Sequence, residues 1–416
     1  MNNQTRAQNG ILIVGAGLAG LTLALSLAKN GIKTTIIEKQ EEIAQSKWAI
    51  LLYPFGMKIF DELGVLEDLT TLGIPLKPPE VLTDKGESLA VIDTGLLSEP
   101  RLNYSLLLGP SEIRRVLRDR ALSLGVELLE GCRFRELIRD SANGRIIGAS
   151  VDQEGMEVRM ASRVIVGADG YKSKVREQFG VRTKEKTYPV VAGFFLNHEH
   201  GLDHMKMILG EGSQMVVLPC TRTRLNLGYT EKGLTLGQLE LKGGADYIRR
   251  KMGESAPSLR AAILSMDFSG ADDATLFIDP KVIHVDEWVV DGGVLIGDAA
   301  HAMHPGTGLG AQQAFMDAAS LAPILETCAR DDDFSLQRLR QLEIRRRPLV
   351  NFIERTNNRT ISMELAKNRL GIWLRNRTFR AVANLIRKRE FQEIFEGSRP
   401  PSRVETLRLI ARTFLP

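Results

Sequence analysis

Cysteine is scarce: three residues in 416, Cys132, Cys220 and Cys328, with no CxxC spacing. That argues against a disulfide framework, a cysteine-based zinc site and a CxxC redox pair. It suits a reducing compartment, so a cytoplasmic protein is expected. No run of about twenty uninterrupted apolar residues exists, so no membrane-spanning helix is expected. The first nine residues are polar, and the apolar run from Ile11 lacks the flanks of a secretion signal. His198, His200 and His204 share one polar loop, but no cysteine or carboxylate stands at a diagnostic spacing, so no metal is expected. Charge is present in ordinary amount and unevenly placed. The chain carries +4, yet residues 331–416 hold 19 Lys+Arg against 10 Asp+Glu, a basic tail on an acidic body.

What the chain does have is concentrated near its start. Ile11-Leu12-Ile13-Val14 runs directly into Gly15-Ala16-Gly17-Leu18-Ala19-Gly20. Leu21, Leu25 and Ala28 then fall on one helical face, Gly31 stops the helix, and Thr34 to Ile37 reads as a second strand ending at Glu38. In such a unit Gly15 permits the tight turn, Gly17 lets a pyrophosphate approach the backbone, and Gly20 lets the helix pack on the strand. The helix N-terminus offers free N–H groups and partial positive charge to the phosphates. A carboxylate at Glu38 can accept both hydroxyls of an adenosine ribose. An acid there disfavours a 2′-phosphate, which points to FAD or NAD rather than NADP as the bound dinucleotide.

Two further stretches repeat the design. Val164-Ile165-Val166-Gly167-Ala168-Asp169-Gly170 is an apolar strand entering a glycine turn with an acid at its tip, in a stretch that runs on through a helix to Arg176. Gly293 to Gly297-Asp298 does the same and continues through His301, His304, Pro305, Gly308 and Gly310 into a long helix from about Ala311 to Glu326. Glu38, Asp169 and Asp298 are therefore expected at one edge of a parallel sheet, where open α/β sheets bind ligands. Elsewhere, Ser46 to Pro54 reads as a buried strand or loop beside that edge. A helix is expected from Ser111 as N-cap through Leu124. Strands are expected at Val190–Leu196, Met205–Leu209, Gln214–Leu218 and Leu225–Tyr229.

Together the three stretches resemble the FAD-dependent monooxygenases of the aromatic-hydroxylase type, the para-hydroxybenzoate hydroxylase superfamily. The resemblance spans residues 11 to about 326. It implies a Rossmann-like FAD-binding domain in an α/β fold, an antiparallel-sheet substrate domain and C-terminal helices. The implied partition is 1–75, 101–182 and 286–330 for FAD, 76–100 and 183–285 for substrate, and 331–416 for the helices. It further implies that Gly15, Ala16, Gly17, Ala19 and Gly20 hold the pyrophosphate, with Glu38 and the adjoining Lys39 at the adenosine ribose. Asp169 and Arg176 belong to the second motif, Gly297 and Asp298 bind the ribityl chain, and Pro305, Gly308, Gly310 and Ala311 lie against the flavin ring. The sequence departs from the family at three places. Pro110 stands where an Arg or Gln usually touches the flavin chain, Lys47 replaces a flavin-side Arg, and Gln312 replaces an Asn.

The activity implied is NAD(P)H-driven monooxygenation: O2 adds at flavin C4a, and the hydroperoxide passes one oxygen to a hydrophobic aromatic or polycyclic ring or to an alkene. No second GxGxxG unit follows a strand, so NAD(P)H is expected to bind transiently. Phe194, Leu196, Met205, Met207, Met215 and Val217 are candidates for the substrate wall, with plain core packing as the competing reading for each. No catalytic base stands out; His304 and Pro305 are the flavin-loop candidates. The alternatives are a flavin reductase of isoprenoid double bonds and a non-catalytic FAD-binding protein. Trp48, Trp288 and Trp373 stand apart, against the paired-tryptophan pattern of flavin halogenases. In the tail, Leu370, Trp373, Leu374, Val382, Leu385 and Ile386 alternate with Arg369, Arg375, Arg377, Arg380 and Arg387. Such a helix either packs on the body or lies on an anionic membrane surface; nucleic acid is not the expected partner.

Overall fold

The computed structural model describes residues 4–6, 10–46, 48–92, 100–266, 276–386 and 402. Lys47 and Arg387 lie outside the described residues. The first glycine turn joins the strand Ile11–Val14 to the helix Leu18–Lys29. That strand sits inside a six-stranded sheet whose order is Val289–Val290, Gly293–Leu295, Val164–Gly167, Ile11–Val14, Thr34–Ile37 and Glu127–Leu129. All neighbours pair parallel except the short edge strand Val289–Val290. The four strands that carry Gly15, Glu38, Asp169 and Asp298 at or just beyond their C-terminal ends are thus adjacent. Their residues are mostly apolar because both faces are covered, by helices such as Leu18–Lys29 and by the strands Cys132–Arg139 and Ile146–Gln153 of a separate sheet. Leu12, Ile13, Val164, Ile165, Val166, Val294 and Leu295 are almost fully excluded from water.

Leu18–Lys29 packs against two helices, Pro110–Ser123 and Leu309–Arg330. Its Leu21, Leu23, Leu25 and Leu27 are buried, each contributing about 1.5–3 kcal/mol of apolar transfer. The helix expected with Ser111 as N-cap starts two residues earlier, with Gly109 as N-cap and Pro110 as its first residue. Proline's fixed φ suits a first helical position. The Ser111 hydroxyl instead accepts from the Ser46 N–H at 3.2 Å, and the Ser111 N–H donates to the Ser46 hydroxyl at 2.8 Å.

A second sheet is larger and mixed. Its path runs Leu276–Ile278, Val191–Asn197, Arg224–Glu231, Ser213–Thr221, His204–Leu209, Ile74–Thr83, Ser105–Leu108 and Ile50–Leu52, with Ser88–Val91 paired to Ile74–Thr83. Strands from before residue 75 and after residue 101 therefore join the same sheet as the middle region. One face of its first half packs on the short helices Leu236–Leu241, Gly244–Ser255 and Arg260–Leu264 through Leu239, Ile248, Met252 and Ile263. The opposite face looks toward the glycine turns.

Among the described residues the tail contributes the short helix Leu336–Leu339 and the longer helices Gln341–Glu364 and Arg369–Ile386, which lie against this assembly. Arg375 is buried, not part of a solvated basic face. Its Nη1 donates to the carbonyls of Gly210 at 2.6 Å and Glu364 at 3.1 Å. Arg380 pairs with Glu87. Leu370 and Trp373 are exposed, with the Arg377 guanidinium 5.7 Å above the Trp373 ring. Among the described residues no helix is long and apolar enough to cross a membrane.

Candidate active site

The three glycines of the first turn are needed for different reasons. Gly15 has φ +106°, and a Cβ there would lie 2.6 Å from the Ala168 carbonyl of the next strand. A Cβ on Gly20 would lie 2.0 Å from the Gly15 carbonyl. Gly17 is different: its Cβ would meet only the Ala168 carbonyl at 3.8 Å, an ordinary contact, and Gly17 lines a large cavity. The protein's own packing leaves room for a side chain there, so the bare backbone serves what enters the cavity. Gly17 caps the helix with no side-chain hydrogen bond and no acid follows in the first turn, which leaves N–H groups facing that space.

Around this turn the polar groups are ordered. Glu38 Oε2 accepts from the Ala16 N–H at 2.8 Å and Oε1 from the Gln40 N–H at 3.0 Å. Lys39 is exposed beside it. Arg114 donates from Nε to the Ala16 carbonyl at 3.0 Å. Burial pulls its pKa down, while the charges of Glu38 and Glu130 act the other way. Arg114 was not singled out from the sequence; it stands one helical turn after Pro110, and that spacing was its only signal.

In the second motif the Asp169 carboxylate faces its own helix. It accepts from the Ser173 hydroxyl at 2.5 Å and from the N–H groups of Lys174 and Val175 at 2.8 and 3.2 Å. Burial pushes its pKa up against these bonds. Gly170, Tyr171 and Lys172 line the cavity. Arg176 is buried and ties two turns together, donating to the carbonyls of Ala299 at 3.0 Å and Tyr171 at 2.7 Å.

The third motif presents Asp298 to the cavity. Its side chain is open to that internal space although the residue lies deep in the molecule. The deep position pushes its pKa up, His301 opposes this, and Asp317 adds to it. Behind it, Gly297 adopts φ +61° and donates its N–H to Asp317 Oδ2 at 2.9 Å. The same oxygen lies 2.5 Å from His301 Nε2, and Asp317 Oδ1 accepts from Arg346 Nε at 2.9 Å. Burial alone would raise the Asp317 pKa; His301, Arg346 and the Gly297 N–H outweigh it and hold it at about 2. Arg346 also donates to Gln313 Oε1 at 2.6 Å.

Pro305, Gly308, Gly310 and Ala311 line the cavity, and the helix Leu309–Arg330 begins there with Gly308 as an uncapped N-cap. His304 does not line it. Its Nδ1 accepts from the Gly306 N–H at 3.0 Å, and its ring meets Tyr188 edge-on at 5.0 Å. Burial lowers its pKa to about 4, so the imidazole is neutral at neutral pH. Gln312 is buried and donates to the Leu51 carbonyl at 2.9 Å. Tyr53, another cavity-lining residue, has its pKa raised to about 12 by burial.

The three glycine turns border one cavity of about 1400 Å³, while Glu38, Lys39, Arg114, Asp169 and Arg176 are not part of its lining. From the glycine turns it runs on into a chamber walled by Trp48, Ile50, Tyr53 and Phe55, by Met205, Met207, Val216 and Leu218 of the large sheet, and by Phe352, Met363 and Phe379 of the tail helices. Phe194, Leu196, Met215 and Val217 do not form this wall. They lie in the core on the other face of the sheet, packed with Leu227, Ile248 and Met252. Side chains alternate along a strand, so the cavity-facing set in these strands is one residue out of phase with them. The tail helices' share of the wall was missed in the sequence; Phe352, Thr356 and Met363 do lie at helical spacing.

The chain matches the model of the FAD binding domain family over residues 8–356. It belongs to that family and is a flavin-dependent monooxygenase of the aromatic-hydroxylase type. It is 26% identical to para-nitrophenol 4-monooxygenase of Pseudomonas sp. (strain WBC-3), covering 79% of this chain and 82% of that protein. It is also 24% identical to a digeranylgeranylglycerophospholipid reductase of Methanosarcina acetivorans, over 92% and 90% of the two chains. The crystal structure of p-nitrophenol 4-monooxygenase from Pseudomonas putida DLL-E4 superposes with a TM-score of 0.79, at 20% identity, over 94% of this chain and 98% of that one. FAD is the cofactor and NAD(P)H the usual reductant of this family. The residues present fit that group: bare, uncrowded backbone at Gly17, an uncapped helix end, and carboxylates at Glu38 and Asp298.

Proposed function

We propose that this monooxygenase inserts one oxygen atom of O2 into a hydrophobic aromatic or polycyclic molecule, by hydroxylation or epoxidation. The observation that carries this reading is the continuity of the cavity: dinucleotide turns and an apolar chamber share one space of about 1400 Å³. That exceeds the roughly 300–1,000 Å³ of a site for one small ligand. In this reading residues 1–75, 101–182 and 286–330 supply the cofactor contacts. The turn Gly15–Gly20 and the helix behind it take the pyrophosphate. Glu38 orients the adenosine ribose with Arg114 beside it, and Asp298 accepts from the ribityl hydroxyls. Pro305, Gly308, Gly310 and Ala311 bound the ring, where the helix N-terminus favours negative charge. FAD, when bound, supplies the redox chemistry with NAD(P)H and O2. The apolar walls hold the substrate and exclude water from the reacting atoms. A neutral His304 shapes the loop through Gly306 and acts as neither acid nor base toward substrate.

The test is oxygen-18 incorporation. Holoenzyme given NAD(P)H, labelled O2 and an aromatic mixture is expected to place label in an organic product and to oxidise the nicotinamide faster than without aromatics. Absence of label with every aromatic, together with anaerobic saturation of an isoprenoid, would transfer the assignment to the reductase reading. Exposed Leu370 and Trp373 beside Arg369 and Arg377 support a second reading, peripheral contact with an anionic membrane surface. Co-sedimentation with anionic liposomes, lost on L370S/W373S, tests it.

A further inference from the structure

Two glycines interrupt apolar strands on the cavity side of the large sheet. Gly193 lies directly opposite Gly228, and Gly228 lies opposite Val216 on the next strand. All three line the cavity. A glycine inside a strand weakens it, and its presence marks a bulge, a bend, a close backbone approach or a ligand that comes near the main chain. The first three are absent at Gly228. The pairing runs in unbroken register from Val191 opposite Thr230 to Asn197 opposite Arg224. Neither glycine has a positive φ. A Cβ on Gly228 would meet only the Val216 Cβ at 3.7 Å, an ordinary contact. Packing within the protein therefore leaves room for a side chain where the sequence has none.

We infer that Gly228, with Gly193 beside it, is a bare strip of backbone against which a flat, fused-ring substrate lies, and that it sets the size limit of the chamber. This rests on the monooxygenase reading of the same cavity. Opposed residues on paired strands put their Cβ positions about 4.5–5.5 Å apart, so the two glycines together remove a patch of side chain about as wide as one aromatic ring. Met207 and Val216 on the neighbouring strands are apolar. A single-ring ligand does not need the strip; a ligand of three fused rings does.

The experiment uses FAD-loaded enzyme and follows the change in flavin absorbance on adding phenol, 2-naphthol or 9-phenanthrol. Gly228→Val and Gly228→Ala are compared with wild type. Valine suits a strand, so the melting temperature is expected to be maintained. Expected is a loss of 9-phenanthrol affinity of roughly 10–200-fold in Gly228→Val, a smaller loss in Gly228→Ala, unchanged phenol binding and unchanged FAD affinity. Equal weakening of all three ligands, or no weakening, overturns the inference while leaving the monooxygenase reading intact. Loss of FAD in Gly228→Ala would assign the strip to the cofactor and also overturn it. If wild type shows no response to any of the three, the underlying substrate reading fails with it.

Discussion

Asp317→Asn removes one negative charge from a place that water does not reach. In the native protein one carboxylate oxygen serves the Gly297 N–H and His301, and the other serves Arg346. An asparagine keeps one acceptor oxygen, and whichever way its amide lies, its NH2 faces a donor. Arg346, with a side chain only 4% exposed, loses its counter-charge. Removing one partner of a buried pair costs about 3–5 kcal/mol, against about 5–15 kcal/mol for a whole fold. The damage reaches the cofactor as well, because the Gly297 N–H helps fix the turn that presents Asp298. Urea unfolding followed by tryptophan fluorescence, without added FAD, measures the first effect; Trp288, 4.9 Å from the His301 ring, is a local reporter. Titration of the unloaded protein with FAD measures the second. The double variant Asp317→Leu with Arg346→Met removes both members of the Asp317–Arg346 pair and is expected to cost less than the sum of its two single variants. Asp317→Asn within about 1 kcal/mol of wild type, with FAD affinity unchanged, would refute the claim that this network holds the turn.

Other outcomes follow from the same geometry. Gly17→Ala is expected to leave the unloaded protein folded and to weaken FAD binding, whereas Gly20→Ala, with its Cβ 2.0 Å from a carbonyl, is expected to cost about 1–3 kcal/mol or more in urea unfolding even without cofactor. Asp298→Ala removes an open acceptor, so the purified protein is expected to lose its yellow colour; a fully flavinated variant would contradict the assignment. His304 has a folded pKa of about 4 against 6.5 for the free side chain, so the unfolded chain binds more protons between those values. Stability is therefore expected to fall by about 3 kcal/mol as pH drops from 6.5 to 4, and His304→Asn is expected to flatten that slope in pH-dependent urea titrations.

The glycine turns were legible because each carries its physics locally. An apolar run, a glycine that must adopt positive φ or admit a neighbour, and an acid at the strand end sit within a few residues of one another, and parallel pairing then brings the ends together. The substrate wall was not legible for an equally physical reason. Met215-Val216-Val217-Leu218 is apolar on both faces, since one face meets the short helices and the other an apolar chamber. With no polar alternation to fix the phase, Met215 and Val217 look like the wall and are the core. Arg375 misled in the same way, because an arginine in a basic helix reads as solvated until its carbonyl partners are placed. The clearest trace of the chamber in these strands is the missing side chains at Gly193 and Gly228. Their opposition is invisible in the chain order, because strands Val191–Asn197 and Arg224–Glu231 are separated by two others and no hairpin turn fixes their register. Only the folded sheet turns two unremarkable glycines into one surface.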